Sequence, residues 1–384
     1  MVTSTDTERS LGIKAKLLTE GIRATSRALA GLGAAHKEQH HGLFGWDFED
    51  HVGRLLPDDF VLSDGTVVQF RGNSRSPYLL DLAEDGLALY DGELRLASAS
   101  LLPRPRFYSA TTGDGASMVK IAQIGGEDCL FVCYQNYCSH FSRGQQCLFC
   151  NLVSTKQTYD SVLTRKQAGQ IAEVAAAAFA EGTCRHVLLT GGCFGREQEV
   201  KTVVEVVRAI RKALQVDTVP GTILPSPATN PDHLRAYREA GIAAIGYSLE
   251  IWDEALYRAI CPGKSSSTSH REFVTAIEEA VRVFGPGNVY GVFVLGLEPR
   301  DSFLEGVRAL TGIGANVVPF VWSPNPGSRL EGHRAPAWRW YVDVMQEAAE
   351  LVVASGVPSG TENHCYRCDG NSLLHDALRL RGVV

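Results

Sequence analysis

Asp128-Cys129-Leu130-Phe131-Val132-Cys133-Tyr134 is an apolar run of strand length that leads into Tyr137-Cys138-Ser139-His140-Phe141-Ser142-Arg143-Gly144-Gln145-Gln146-Cys147-Leu148-Phe149-Cys150. Largely continuous apolar runs suit strands covered on both faces, as in a parallel sheet under helices. Further strand-length runs follow at 185–190, 219–224, 243–250, 288–295 and 316–322. Helical patterns separate them near 165–181, 197–214, 231–240, 268–284 and 301–312, and another at 338–354 follows the last strand. This alternation predicts an α/β fold, a partial (β/α)6 TIM-like barrel over residues 116–335, two units short of a closed barrel. Chemistry in such folds collects at the carboxyl ends of the strands, and the cysteine-rich segment falls there.

The flanks read differently. Residues 1–115 form an N-terminal accessory region. Leu11, Leu17, Leu18, Ile22 and Leu29 recur at helix-like spacing across 8–35, and short runs such as Thr66–Phe70 and Leu87–Tyr90 between Gly, Asp and Pro turns predict a β-rich segment. Leu101–Arg106 contains two prolines and reads as an extended connector. Residues 336–384 supply a C-terminal helix and a cap carrying a second Cys-x2-Cys, Cys365 and Cys368.

Net charge is −6, which argues against a broad nucleic-acid surface. No apolar run is long enough to span a bilayer, and the first residues lack the pattern of a secretory signal, so a cytoplasmic protein is expected. The ten cysteines then read as metal ligands or catalytic thiols rather than a disulfide framework.

Cys138, Cys147 and Cys150 are the strongest candidates. Three thiolates on a cubane cluster leave one iron open to another ligand, whereas four close it. The same segment also admits a zinc site, with His140 as the fourth ligand.

The C-x8-C-x2-C pattern resembles the radical S-adenosylmethionine superfamily, whose usual spacing is C-x3-C-x2-C. The longer first gap is a departure; the C-x2-C half and the aromatic Phe149 before its last cysteine are kept. The resemblance implies a [4Fe–4S] cluster on Cys138, Cys147 and Cys150, with S-adenosylmethionine as cofactor and Phe149 lying against it. It also implies a core similar to biotin and lipoyl synthases.

The later strands carry the resemblance further. Gly191-Gly192 stand where the family often has Gly-Gly-Glu, which holds the methionyl amine; here Cys193 replaces the acid. The fourth strand ends in Gly246-Tyr247-Ser248-Leu249-Glu250, and the resemblance implies that Ser248 and Glu250 help bind the cofactor. Gly291–Glu298 is similar to the family's Gly-x-Ile-x-Gly-x-x-Glu, which implies adenine contacts at Val294 and Gly296, with Glu298 supporting the loop. Pro319–Ser328 resembles the proline-rich strand exit of biotin- and lipoyl-synthase-like members, and it also fits a plain rigid turn.

The expected activity is reductive cleavage of S-adenosylmethionine to a 5′-deoxyadenosyl radical that takes hydrogen from a small organic substrate. Flavodoxin or ferredoxin would supply the electron. His140, Arg143 and Arg196 are candidates for the substrate side or for plain surface charge. Cys365 and Cys368 admit an auxiliary iron–sulfur cluster, a zinc clip or a free pair. An auxiliary cluster would favour sulfur insertion or exchange. Some features resemble a subfamily encoded beside nitrilases in bacteria. A non-radical zinc-binding module is the reading from another class.

Overall fold

A computed structural model describes residues 4–40, 54–154, 163–228, 230–358 and 370–383. The chain opens with α1 (Ser4–Glu20) and continues through β1 (Arg23–Ala24), β2 (Asp59–Leu62), β3 (Val67–Gln69), β4 (Tyr78–Ala83), β5 (Gly86–Asp91) and β6 (Leu94–Leu101). These six strands form one sheet in the order β1-β4-β5-β6-β2-β3, antiparallel except where β1 joins β4. The helix predicted across 8–35 is shorter than expected. It stops at Glu20 because Gly21 takes φ +72 while its N–H still bonds to Leu17 O, and the chain then runs through the short strand β1 before folding into turns from Ser26. Leu29 keeps its apolar role by packing on the core of this small sheet.

The second sheet begins with β7 (Gln123–Gly125) and β8 (Cys129–Gln135), an antiparallel pair at one edge. Then follow α2 (Ser139–Ser142), α3 (Ala168–Ala180), β9 (His186–Gly191), α4 (Arg196–Leu214), β10 (Val219–Ile223), α5 (Pro231–Ala240) and β11 (Ile242–Glu250). The chain continues with α6 (Glu254–Ile260), α7 (Pro262–Ser267), α8 (His270–Phe284), β12 (Val289–Leu295), α9 (Arg300–Gly312), β13 (Asn316–Val321), α10 (Trp338–Ser355) and α11 (Leu374–Arg379). Strands β8 to β13 are parallel and lie in sequence order, the partial barrel expected.

Burial explains the apolar runs. All seven residues of β12 are buried, and Phe293 packs edge-on against Phe303 of α9. By strand alternation Val292 and Val294 then face the opposite, concave side of the sheet. Local signals set the helix ends. Ser269 and Glu272 form a reciprocal cap on α8, and Asn230 with Pro231 starts α5.

Helix α1 joins the two halves. Leu11, Ala15 and Leu18 enter the barrel core, while Ile13 and Leu17, on an adjoining face, enter the core of the small sheet. Lys14 on the same helix is buried against Asp376 of α11 at 2.9 Å. Arg71, also buried, donates to Leu18 O, Val321 O and Asn371, tying α1, the end of β13 and the last segment together. No described helix is long and apolar enough to cross a membrane.

Candidate active site

Because β8, β9, β11 and β12 are parallel, their carboxyl ends share one rim, and the cysteine segment begins just past the end of β8. Backbone bonds fasten that segment to its neighbours. Ser139 N–H donates to Cys193 O at 2.8 Å, Leu148 N–H to Ile260 O at 2.8 Å, and Gly263 N–H to Gln145 O at 2.9 Å. Two glycines make this closeness sterically feasible. A Cβ on Gly192 would lie 2.3 Å from Tyr137 O and 2.8 Å from the Cys138 Cβ; one on Gly263 would lie 2.4 Å from His140 Nδ1. Gly191 is equally tight, with Tyr134 ring carbon 2.7 Å from where its Cβ would be.

A cleft of about 480 Å³ opens at this rim. Cys138, Cys147, Cys150, Phe149, Gly191, Gly192, Ser248 and Glu250 all line it, as do His140, Arg143 and Arg196. Val294 and Gly296 do not. Val294 is buried, and Gly296, at φ +109, sits where a side chain would strike the Tyr341 hydroxyl. Glu298 turns away to accept from Trp252 N–H, Asp253 N–H and the Ser302 hydroxyl, which fixes the loop after β11. Cys365 and Cys368 lie outside the described residues.

Sequence reading missed Lys264. Its ammonium is 2.6 Å from Glu250 Oε1 and 2.8 Å from Ser248 O, in the cleft wall. Burial works against its charge, but Glu250 and the thiols Cys147, Cys193 and Cys261 outweigh burial and hold it protonated far above the ordinary lysine range. Nothing in Pro262-Gly263-Lys264-Ser265 announces this, because the partner carboxylate lies on another element. Glu250 itself has φ +73, an uncommon backbone state for a residue with a side chain.

The thiols differ. A hydrogen bond with Cys193 brings the Cys138 thiol down to about 5, helped by the backbone N–H groups of His140 and Cys193. Contact with Cys261 lowers Cys147 in the same way, while burial pushes Cys150 up to about 12. Among the described residues, no three His, Cys, Asp or Glu groups are gathered closely enough to hold one metal ion. The Cys138, Cys147, Cys150 and His140 set is therefore not drawn together as a tetrahedral zinc site requires. A cubane places each thiolate on a separate iron, so its ligands stand farther apart than those of a single ion. Three thiols lining one cleft, not gathered as the ligands of a single ion, fit that group.

Residues 132–310, from within β8 into α9, match the Radical SAM superfamily. The chain carries a radical SAM enzyme domain. The radical SAM family implies a [4Fe–4S] cluster and S-adenosylmethionine. Among curated proteins the chain is 26% identical over 289 residues to bacteriochlorophyllide c C-7(1)-hydroxylase of Chlorobaculum limnaeum, covering 70% of this chain and 71% of that protein. Among solved structures, methylornithine synthase aligns at 20% identity with a TM-score of 0.45, over 60% of this chain and 64% of that one. A radical SAM methyltransferase from Sphaerobacter thermophilus aligns at 20% identity with a TM-score of 0.44, over 73% of this chain and 76% of that one.

Proposed function

We propose that Cys138, Cys147 and Cys150 hold a [4Fe–4S] cluster, and that the chain uses S-adenosylmethionine to take a hydrogen atom from an unactivated carbon of a small organic substrate. The carrying observation is the placement of all three thiols of C-x8-C-x2-C on one cleft at the carboxyl rim of the partial barrel. When bound, cluster and cofactor supply a one-electron cleavage that releases a 5′-deoxyadenosyl radical.

The chain's own residues bind and orient. Cys138, Cys147 and Cys150 would hold the cluster, and three protein thiolates would leave it one iron open to a further ligand. The backbone at Gly191 and Gly192, which lines the cleft and bears no side chain of its own, would accept the methionyl amine. Phe149 covers the cofactor beside Cys150. Ser248 and Glu250 take its polar groups, and Lys264 acts as a positioning residue that holds the Glu250 carboxylate. Val294 and Gly296 work one layer behind the cleft, through the end of β12 and the packing of Gly296 on Tyr341. The walls keep water from the reacting carbon.

The relative from Chlorobaculum limnaeum is named for hydroxylating a carbon of bacteriochlorophyllide c, which supports a C–H bond as the target here. A flavodoxin or ferredoxin is the proposed electron donor. Sulfur insertion would need a second cluster on Cys365 and Cys368, and no described residue bears on it.

Anaerobic reconstitution tests the proposal. The parent is expected to bind about four irons per chain and to form 5′-deoxyadenosine with a reductant, and Cys147→Ala to lose both. A colourless parent holding one zinc, with no 5′-deoxyadenosine, would overturn it.

A further inference from the structure

Glu199 lies in the first turn of α4 and lines the cleft, yet it is only 3% exposed. Neutral donors hold it. The Tyr134 hydroxyl donates to Oε1 at 3.2 Å, and the N–H of Ser226, just past β10, donates to Oε2 at 3.0 Å. Among the described residues no cation forms an ion pair with it. Lys264, in the same cleft, faces Glu250 at 2.6 Å, and Arg196 donates to Ser267 O at 3.1 Å and to the Thr268 hydroxyl at 2.6 Å. The Tyr134 ring that reaches Glu199 is also the one a Cβ on Gly191 would strike, so a single side chain links the Gly191 backbone to the Glu199 carboxylate.

We propose that Glu199 accepts hydrogen bonds from the α-amino group of S-adenosylmethionine and is its charged partner in the cleft. The inference rests on the function proposed above and deepens it by one cofactor-binding residue. A buried carboxylate with no cation beside it is costly, and a ligand that brings the missing positive charge offsets that cost. An ionised carboxylate accepts about four hydrogen bonds, and Tyr134 and Ser226 supply only two. The remaining sites call for a donor from the cleft. The sulfonium of S-adenosylmethionine is charged but has no hydrogen to donate. The adenine amine and the ribose hydroxyls donate but carry no charge. The amino group alone does both. Position 193, where the family resemblance leads one to expect an acid for this group, is Cys. The charge comes instead from the helix that follows, braced by Tyr134 of β8 and by Ser226 past β10, the two strands that flank β9.

The test is equilibrium dialysis of the reconstituted full-length protein, without reductant, against two ligands. One is S-adenosylmethionine. The other is 5′-methylthioadenosine, which keeps the adenosine and lacks the amino acid. Iron is measured on every sample. Glu199→Gln is expected to keep the parent's iron, to bind S-adenosylmethionine roughly 10- to 100-fold more weakly, and to bind 5′-methylthioadenosine as the parent does. Glu199→Asp restores the charge on a shorter arm and is expected to recover part of the loss. Tyr134→Phe keeps the charge and removes one donor that orients it, so it is expected to weaken S-adenosylmethionine alone, and by less than Glu199→Gln. Unchanged affinity for S-adenosylmethionine in Glu199→Gln would overturn the inference. An equal loss for both ligands would also overturn it, since Glu199 would then only shape the cleft. If Glu199→Gln does not fold, the same comparison on Tyr134→Phe decides. A parent that takes up no cubane, or binds no S-adenosylmethionine, would overturn the proposed function, and this inference with it.

Discussion

Glu250 and Lys264 form an ion pair in the cleft wall, and both are largely buried. Burial works against the charge of a lysine in such a place, and Glu250 is the first of the groups that offset it. Glu250→Gln preserves the shape of the side chain and removes the charge, leaving Lys264 buried and uncompensated. The expected cost is about 3 kcal/mol, read as a lower unfolding midpoint, together with at least a tenfold weaker binding of S-adenosylmethionine. An unchanged midpoint and affinity would show that the pair is dispensable. At this scale the spacing of the triplet and the place of Glu250 at a strand end pointed sequence reading to residues that line one cleft. It did not reveal the pairing of Glu250 with Lys264, or the bonds from Ser139 N–H to Cys193 O and from Leu148 N–H to Ile260 O. Those contacts are made by chain segments far apart, and no local pattern encodes them.

At the scale of elements, the cysteine segment is held between two glycine contacts, Gly192 at the end of β9 and Gly263 in α7. Gly192→Ala would press a methyl group into Tyr137 O and the Cys138 Cβ, so the segment must shift. The barrel should still fold, but iron retained after reconstitution and desalting should fall several-fold. Gly169→Ala in α3 meets nothing within 4 Å and is the control. It should retain iron like the parent, with a stability gain of up to about 1 kcal/mol. Equal iron in both variants would remove the clamp from the account. The six parallel strands were legible because each is an apolar run bounded by helical patterns. Strand β7, with only three residues, is too short to show any periodicity. The end of α1 was missed because the apolar spacing runs past Gly21, and that spacing serves a different core beyond it.

For the molecule as a whole, buried charges link regions that the sequence presents separately. Glu38, from the N-terminal segment, accepts from Arg104 in the connector and bonds with His40. Burial pushes the Glu38 carboxyl up, but His40 and Arg104 outweigh it and bring it to about 2. A carboxyl depressed in the folded state adds stability above its ordinary value of 4.5 and loses it as pH falls toward about 2. Glu38→Gln should therefore be less stable by about 2–3 kcal/mol at neutral pH, and its loss of stability between pH 4.5 and 2 should be shallower than the parent's. Parallel unfolding curves across that window would count against the role of Glu38.

The Lys14–Asp376 pair has a consequence for synthesis. Lys14 is fully enclosed in the finished protein, and its counter-charge lies 362 residues downstream. At roughly 5–20 residues per second a ribosome takes roughly 20–70 s to deliver it. Through that interval the first helix carries a positive charge that water must still solvate. Its final docking is therefore a late event, completed after the strands that present the cysteines have already left the exit tunnel.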